Sequence, residues 1–326
     1  MAVTDVERLV PAGSWRQRAG DRPLLLAALG ALCISSSAVL VELAASGAAT
    51  TAFFRCVLAV PLLIPLALRE QRRLGPRPRR AHLVGATAGL FFAADLVLWT
   101  HAINEVGAGI ATVLGNLQVV FVAAAAWALF GERPTRRFAL VLPVLFLGVV
   151  LVSGLAGRPS FGGHPVAGII YGVTTSLAYA AFLLILRGAM GTPHVAGPLL
   201  DATASSAAVA LVLGAIFGGL DLAPPLPSLG WLALLAVTSQ TVGWMFITSS
   251  LPRLPRAISS LMLLLQPVAA LALAAVVLAE RPTWVQLLGA VLICAGVLIV
   301  ARRPMAAVQL PARRADDGSL VPLSAG

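Results

Sequence analysis

One stretch of this chain occurs twice, and nothing else in the sequence constrains the fold as tightly. Residues 106–152 and 254–300 superpose without a gap at a constant offset of 148 positions. Gln118 falls on Gln266, the run Glu132-Arg133-Pro134-Thr135 on Glu280-Arg281-Pro282-Thr283, and Gly148-Val149 on Gly296-Val297. Matched leucines and alanines in apolar segments arise from composition alone. A glutamine inside an apolar run, a four-residue polar corner and a glycine sixteen positions after its glutamate do not arise so easily. Self-similarity at a fixed long offset marks a duplication.

The duplicated unit belongs in a membrane. Hydrophobic residues make up 59% of the chain and charged residues 11%, far from the balance of a soluble domain. Apolar runs of about twenty residues recur, each long enough to cross a hydrocarbon core of ~30 Å at 1.5 Å per residue. The expected class is an all-α polytopic membrane protein with ten transmembrane helices. They are placed at 23–44, 49–68, 82–103, 106–130, 138–156, 165–187, 196–218, 229–251, 256–279 and 284–301. The first run is too long for a signal-peptide core and is read as a span. The domains are then a cytoplasmic tail at 1–22, a first five-helix repeat at 23–156, an external linker at 157–164, a second repeat at 165–301 and a disordered cytoplasmic tail at 302–326.

The arginines orient this map. All 23 basic residues are Arg, and the net charge of +10 reflects where they sit rather than a nucleic-acid surface. Twenty fall in the termini and in the loops after the even-numbered spans. Only Arg158 and Arg281 lie in the alternate loops, and Arg55 lies within a span. The positive-inside rule then puts both termini in the cytoplasm. Five helices is an odd number, so the second repeat must enter the bilayer upside down. Such inverted repeats build many secondary transporters, with the substrate site near mid-membrane where the halves meet.

Ten spans in two halves, the aromatic-Arg pair Phe54-Arg55 in the second span, and an apolar helix ending in Gly/Ala-Glu-Arg-Pro in each half resemble the EamA group of the drug/metabolite transporter superfamily. The resemblance covers roughly residues 23–301. It implies a carrier in the plasma membrane that moves small metabolites or drugs, often outward, by alternating access. The chain departs from symmetry at one place. The offset carries Phe54-Arg55 onto Ala202-Thr203, so any role of the arginine is confined to one half.

No P-loop, HExxH or GxSxG is present, and no catalytic residue, cofactor or metal site is expected. Cys33, Cys56 and Cys294 lie in apolar runs without ligand spacing and read as packing residues. Polar residues inside spans are costly and therefore informative. Counted from the outer helix ends, Arg55 lies about 9 Å deep and Asp95 and Asn116 about 13 Å, with Gln118, Gln240 and Gln266 at similar levels. Together with Trp244, one turn from Gln240, they form the expected substrate-binding set. For Gln118 and Gln266, hydrogen-bonding glue between helices is an equal reading. Asn116 and Gln118 are about 200° apart on a continuous helix and should not line one cavity equally. Trp99, Trp127, Trp231 and Trp284 read as interface anchors, and His101 as a wetted residue near an outer end. Glu132 and Glu280 read as structural corners, able to satisfy free helix amides, or as gating contacts. The expected partners are a small-molecule substrate and the bilayer, with no nucleic acid and a homodimer allowed. A channel and a membrane-embedded enzyme on a lipid-soluble substrate remain the alternative classes.

Overall fold

The computed structural model describes residues 23–130, 136–152, 164–189, 194–250, 254 and 256–301, with 313–314 and 320–321. Among these, helices make up all but one small element, an antiparallel pairing of β1 (Arg313–Arg314) with β2 (Leu320–Val321) in the tail expected to be disordered. The helices are α1 (Pro23–Ala44), α2 (Ala48–Leu74), α3 (Arg79–Val106), α4 (Ala108–Gly115), α5 (Gln118–Phe130) and α6 (Arg136–Val152) in the first copy. The second copy holds α7 (Pro165–Ala189), α8 (Ala196–Phe217), α9 (Leu226–Leu235), a π-helical segment (Ala236–Gly243), α10 (Trp244–Ser250), α11 (Arg256–Val277) and α12 (Trp284–Ala301).

Six helical stretches are long and apolar enough to cross a membrane: α1, α2, α3, most of α7, α8 and the continuous run from α9 through α10. The apolar parts of α4–α5, α6, α11 and α12 are shorter. Large apolar side chains point outward, including Leu83, Phe146, Phe217 and Trp284, at 69–86% exposure. A soluble protein would not leave such a belt uncovered. Proline inside α2 (Pro61, Pro65), α6 (Pro143) and α11 (Pro267) is tolerated where neighbouring helices satisfy the freed backbone.

The two copies interlock through an exchange-symmetric pattern. α3 packs on α7 as the α9–π–α10 run packs on α1, and α4 meets α7 as α11 meets α1. α2 pairs with its own counterpart α8, α4 with α11, and α6 with α12. At the last crossing a Cβ on Gly148 would meet Ile293 and the Gly289 carbonyl. A Cβ on Gly296 would meet Leu145 and Val141. Each set is the other shifted by 148 positions. Because the contacts advance along one helix as they recede along the other, α6 and α12 run antiparallel. A two-fold axis that exchanges antiparallel helices lies perpendicular to them. That is the relation an odd number of helices per copy requires.

Candidate functional site

The copies meet around a cavity of about 90 Å³. Arg55 reaches it from α2 and Asp95 from α3, and both side chains are buried. No ion pair joins them, since the ion pairs among the described residues are Arg77 and His82 with Asp201. Arg55 is held by neutral groups instead. Its Nε donates to Gln240 Oε1 at 3.0 Å and its Nη2 to Ser239 Oγ at 3.3 Å. The guanidinium carbon lies 5.9 Å from the Phe92 ring centroid and 6.0 Å from that of Trp99, within cation–π range. Asp95 accepts on Oδ1 from Thr175 Oγ1 at 3.2 Å, and the same hydroxyl is 2.7 Å from the Asp95 carbonyl.

Gln240 does not line the cavity. It is fully buried behind Arg55, and its Nε2 donates to Thr203 Oγ1 at 3.1 Å. Thr203 is the position that corresponds to Arg55 in the second copy. One glutamine thus bridges the two equivalent positions where α2 and α8 cross. The π-helical segment brings Ser239 and Gln240, neighbours in sequence, onto one guanidinium. π turns of this kind sit frequently at functional sites.

Asn116, Gln118, Trp244 and Gln266 all line the cavity, with Ser35, Ser37, Thr112 and Tyr179. The helix that carries Asn116 and Gln118 is not continuous. α4 stops at Gly115 and α5 starts at Gln118, so the two residues do not share one helical register. Asn116 Nδ2 donates back to the Thr112 carbonyl of α4 at 2.9 Å, while Gln118 Oε1 is buried without a hydrogen-bond partner. Trp99 is also corrected, from interface anchor to cavity wall. α3 runs on to Val106 rather than ending at 103, which sinks Trp99 by about one turn. Trp231 and Trp284 are exposed, at 38% and 86%, and the Trp127 side chain lies outside the described residues. Trp244 meets Phe92, Tyr179 and Phe182 edge to face. His101 is exposed and stacks on Tyr171.

Both ends of the seam between copies are tied by polar contacts. At one end Glu280 accepts from the Ala108 amide at 2.7 Å and the Gly109 amide at 3.3 Å, satisfying free donors at the start of α4. Ala279, with φ of 55°, makes the turn that aims the carboxylate there. Glu132, its counterpart, lies outside the described residues. At the same end Thr50 Oγ1 accepts from the Asp221 amide and donates to the Gly219 carbonyl. At the opposite end Glu70 accepts from the amides of Val195 and Gly197 at 2.7 and 2.9 Å, and Arg77 pairs with Asp201 at 2.8 Å. Thr175 sits in the mid-membrane polar layer that the sequence already marked with Thr174, whereas Thr203, Ser239 and Glu70 were not singled out as site residues. Of these three only Thr203 carried a signal, as the residue equivalent to Arg55.

A helical membrane protein made of two copies of one unit, with buried charges on a cavity at their seam, has the build of a transporter. The chain belongs to the EamA-like transporter family, which matches it twice, over residues 22–154 and 166–302. It is therefore a multi-pass membrane transporter of the drug/metabolite type, and members of this family are transporters rather than enzymes. A solved structure described only as "Crystal structure of protein" has the same fold, with a TM-score of 0.60 and 15% identity, covering 85% of this chain and 95% of that one. No curated protein matches the chain.

Proposed function

We propose that the protein is a secondary carrier that moves a small organic metabolite or drug outward across the plasma membrane by alternating access. The observation that carries this reading is the pair Arg55 and Asp95, buried on one cavity wall and joined by no ion pair. A charged side chain at mid-bilayer costs roughly 2.5–3.5 kcal/mol on insertion scales, so it is retained where it has a partner or a function. In this reading Asp95 takes a cationic or amino group of the solute, with Arg55, Asn116, Gln118, Gln266 and Trp244 around it. Gln240 acts through Arg55. All ten helical rods cross the bilayer, both termini are cytoplasmic, and the copies rock about the seam. Opening one face parts Glu280 from the start of α4, and opening the other parts Glu70 and Arg77 from the start of α8.

Flux measured in loaded proteoliposomes tests the mechanism. A carrier saturates and is stimulated by solute on the far side, whereas a channel does neither, and an enzyme would return a new molecule. Alkaline-phosphatase fusions test the orientation. Activity is expected at residues 160 and 224, and silence at 75 and 192. The reverse pattern would refute the proposed topology.

A further inference from the structure

Glycine in a helix interior loses more backbone freedom on folding than alanine does, so its presence needs a reason. Most helical glycines in this molecule have one. A Cβ on Gly89 would run into the Ala202 carbonyl, one on Gly109 into Leu271, and one on Gly172 into Leu114. Gly107 and Gly218 hold positive φ at helix ends. Gly115 and Gly230 have neither reason, and of the two only Gly115 lines the cavity. Gly115 is the last residue of α4, it has no positive φ, and a Cβ built on it meets no atom within 4 Å. It nevertheless lines the cavity, beside Thr112 and Asn116.

We infer that Gly115 sets the size of the solute the carrier accepts, the missing side chain being room that the solute fills. This rests on the carrier reading above. The break after Gly115 leaves bare backbone on the wall of the cavity. On that wall, each carbon added at position 115 takes room that the cargo would otherwise use. It displaces no packing contact, because no protein atom occupies that space. Larger residues there should exclude large solutes first and leave helix packing as it was.

Two measurements on the full-length protein test this. The first uses Gly115→Cys in a background whose three native cysteines are replaced by alanine. A small charged methanethiosulfonate reagent should modify the introduced thiol in the purified folded protein, and a thiol that stays unmodified would overturn the inference. The second loads proteoliposomes with a cell extract and reads efflux of each solute by mass spectrometry for wild type, Gly115→Ala and Gly115→Leu. Among solutes the wild type moves, the largest should fall at least tenfold in Gly115→Leu and less in Gly115→Ala. The smallest should stay within twofold, and neither melting temperature should fall. An equal fall at every size, or no fall, overturns the inference. So does a Gly115→Ala protein that no longer folds, because the added methyl would then have met something. A wild type that moves nothing is a different result, and removes the carrier reading itself.

Discussion

At the α6–α12 crossing the two copies are interchangeable, Gly148 meeting Ile293 as Gly296 meets Leu145. Around the cavity they are not. Arg55 corresponds to Thr203 and Asp95 to Gly243. The π-helical segment at 236–243 corresponds to residues 88–95, which are plain α-helix within α3. Packing tolerates two-fold repetition because small residues and antiparallel ridges serve both copies alike. A charge does not. Repeating Arg55 on α8 would set two cations near the place where α2 and α8 cross, and their repulsion at low dielectric would be severe. One copy therefore supplies both charges, and the other supplies the neutral groups, Gln240, Ser239 and Thr175, that hold them.

The largest effect should come from erasing that difference. Arg55→Thr makes α2 match α8, and Asp95→Asn keeps shape while removing charge. Each is expected to lower transport about 100-fold or more, about 2.7 kcal/mol, with near-normal membrane expression. A purely structural pair would instead show poor expression of Asp95→Asn, restored together with transport by adding Arg55→Gln. Near wild-type flux in Asp95→Asn would remove the functional assignment. The symmetric crossing should behave in the opposite way. Gly148→Leu and Gly296→Leu should each cost roughly 1–3 kcal/mol through overpacking, with matching falls in melting temperature. Clearly unequal falls would break the claim that these positions are equivalent.

A smaller change is expected at the corner. Glu280→Ala strips the cap from the Ala108 and Gly109 amides and should lower stability by about 1 kcal/mol. The same substitution at Glu132 shows whether the first copy uses its corner alike. The smallest effect is a gain. Ala279 holds a left-handed φ of 55° where the first copy has Gly131. Ala279→Gly should therefore raise stability by up to about 1 kcal/mol, measured by thermal unfolding.

Much of this architecture was legible from runs and offsets. Helices begin at Pro23, Ala196 and Trp284 where the apolar runs begin, because burial in lipid leaves the backbone no other option. The site was legible at Arg55 and Asp95, since an ionised group inside a span is conspicuous. The break at Asn116–Leu117 and the π-helical segment were hidden. Both are one- or two-residue slips in hydrogen-bond register inside runs whose hydropathy hardly changes. Ser239 and the cross-helix partner role of Thr203 were hidden for another reason. Hydroxyls in apolar helices usually bond their own backbone, as Thr100 does to the Leu96 carbonyl, and sequence does not distinguish those that reach across.

The reciprocal contacts of Gly148 and Gly296 also speak of the time before the two copies shared one chain. A face whose every contact is returned by its own image is an isologous interface. A half-length protein bearing the α6 face would find its complement in a second, antiparallel copy related by a two-fold axis. Such a pair must carry any polar residue twice. Two copies with separate sequences are free of that restriction, which is what allows a single arginine and a single aspartate here.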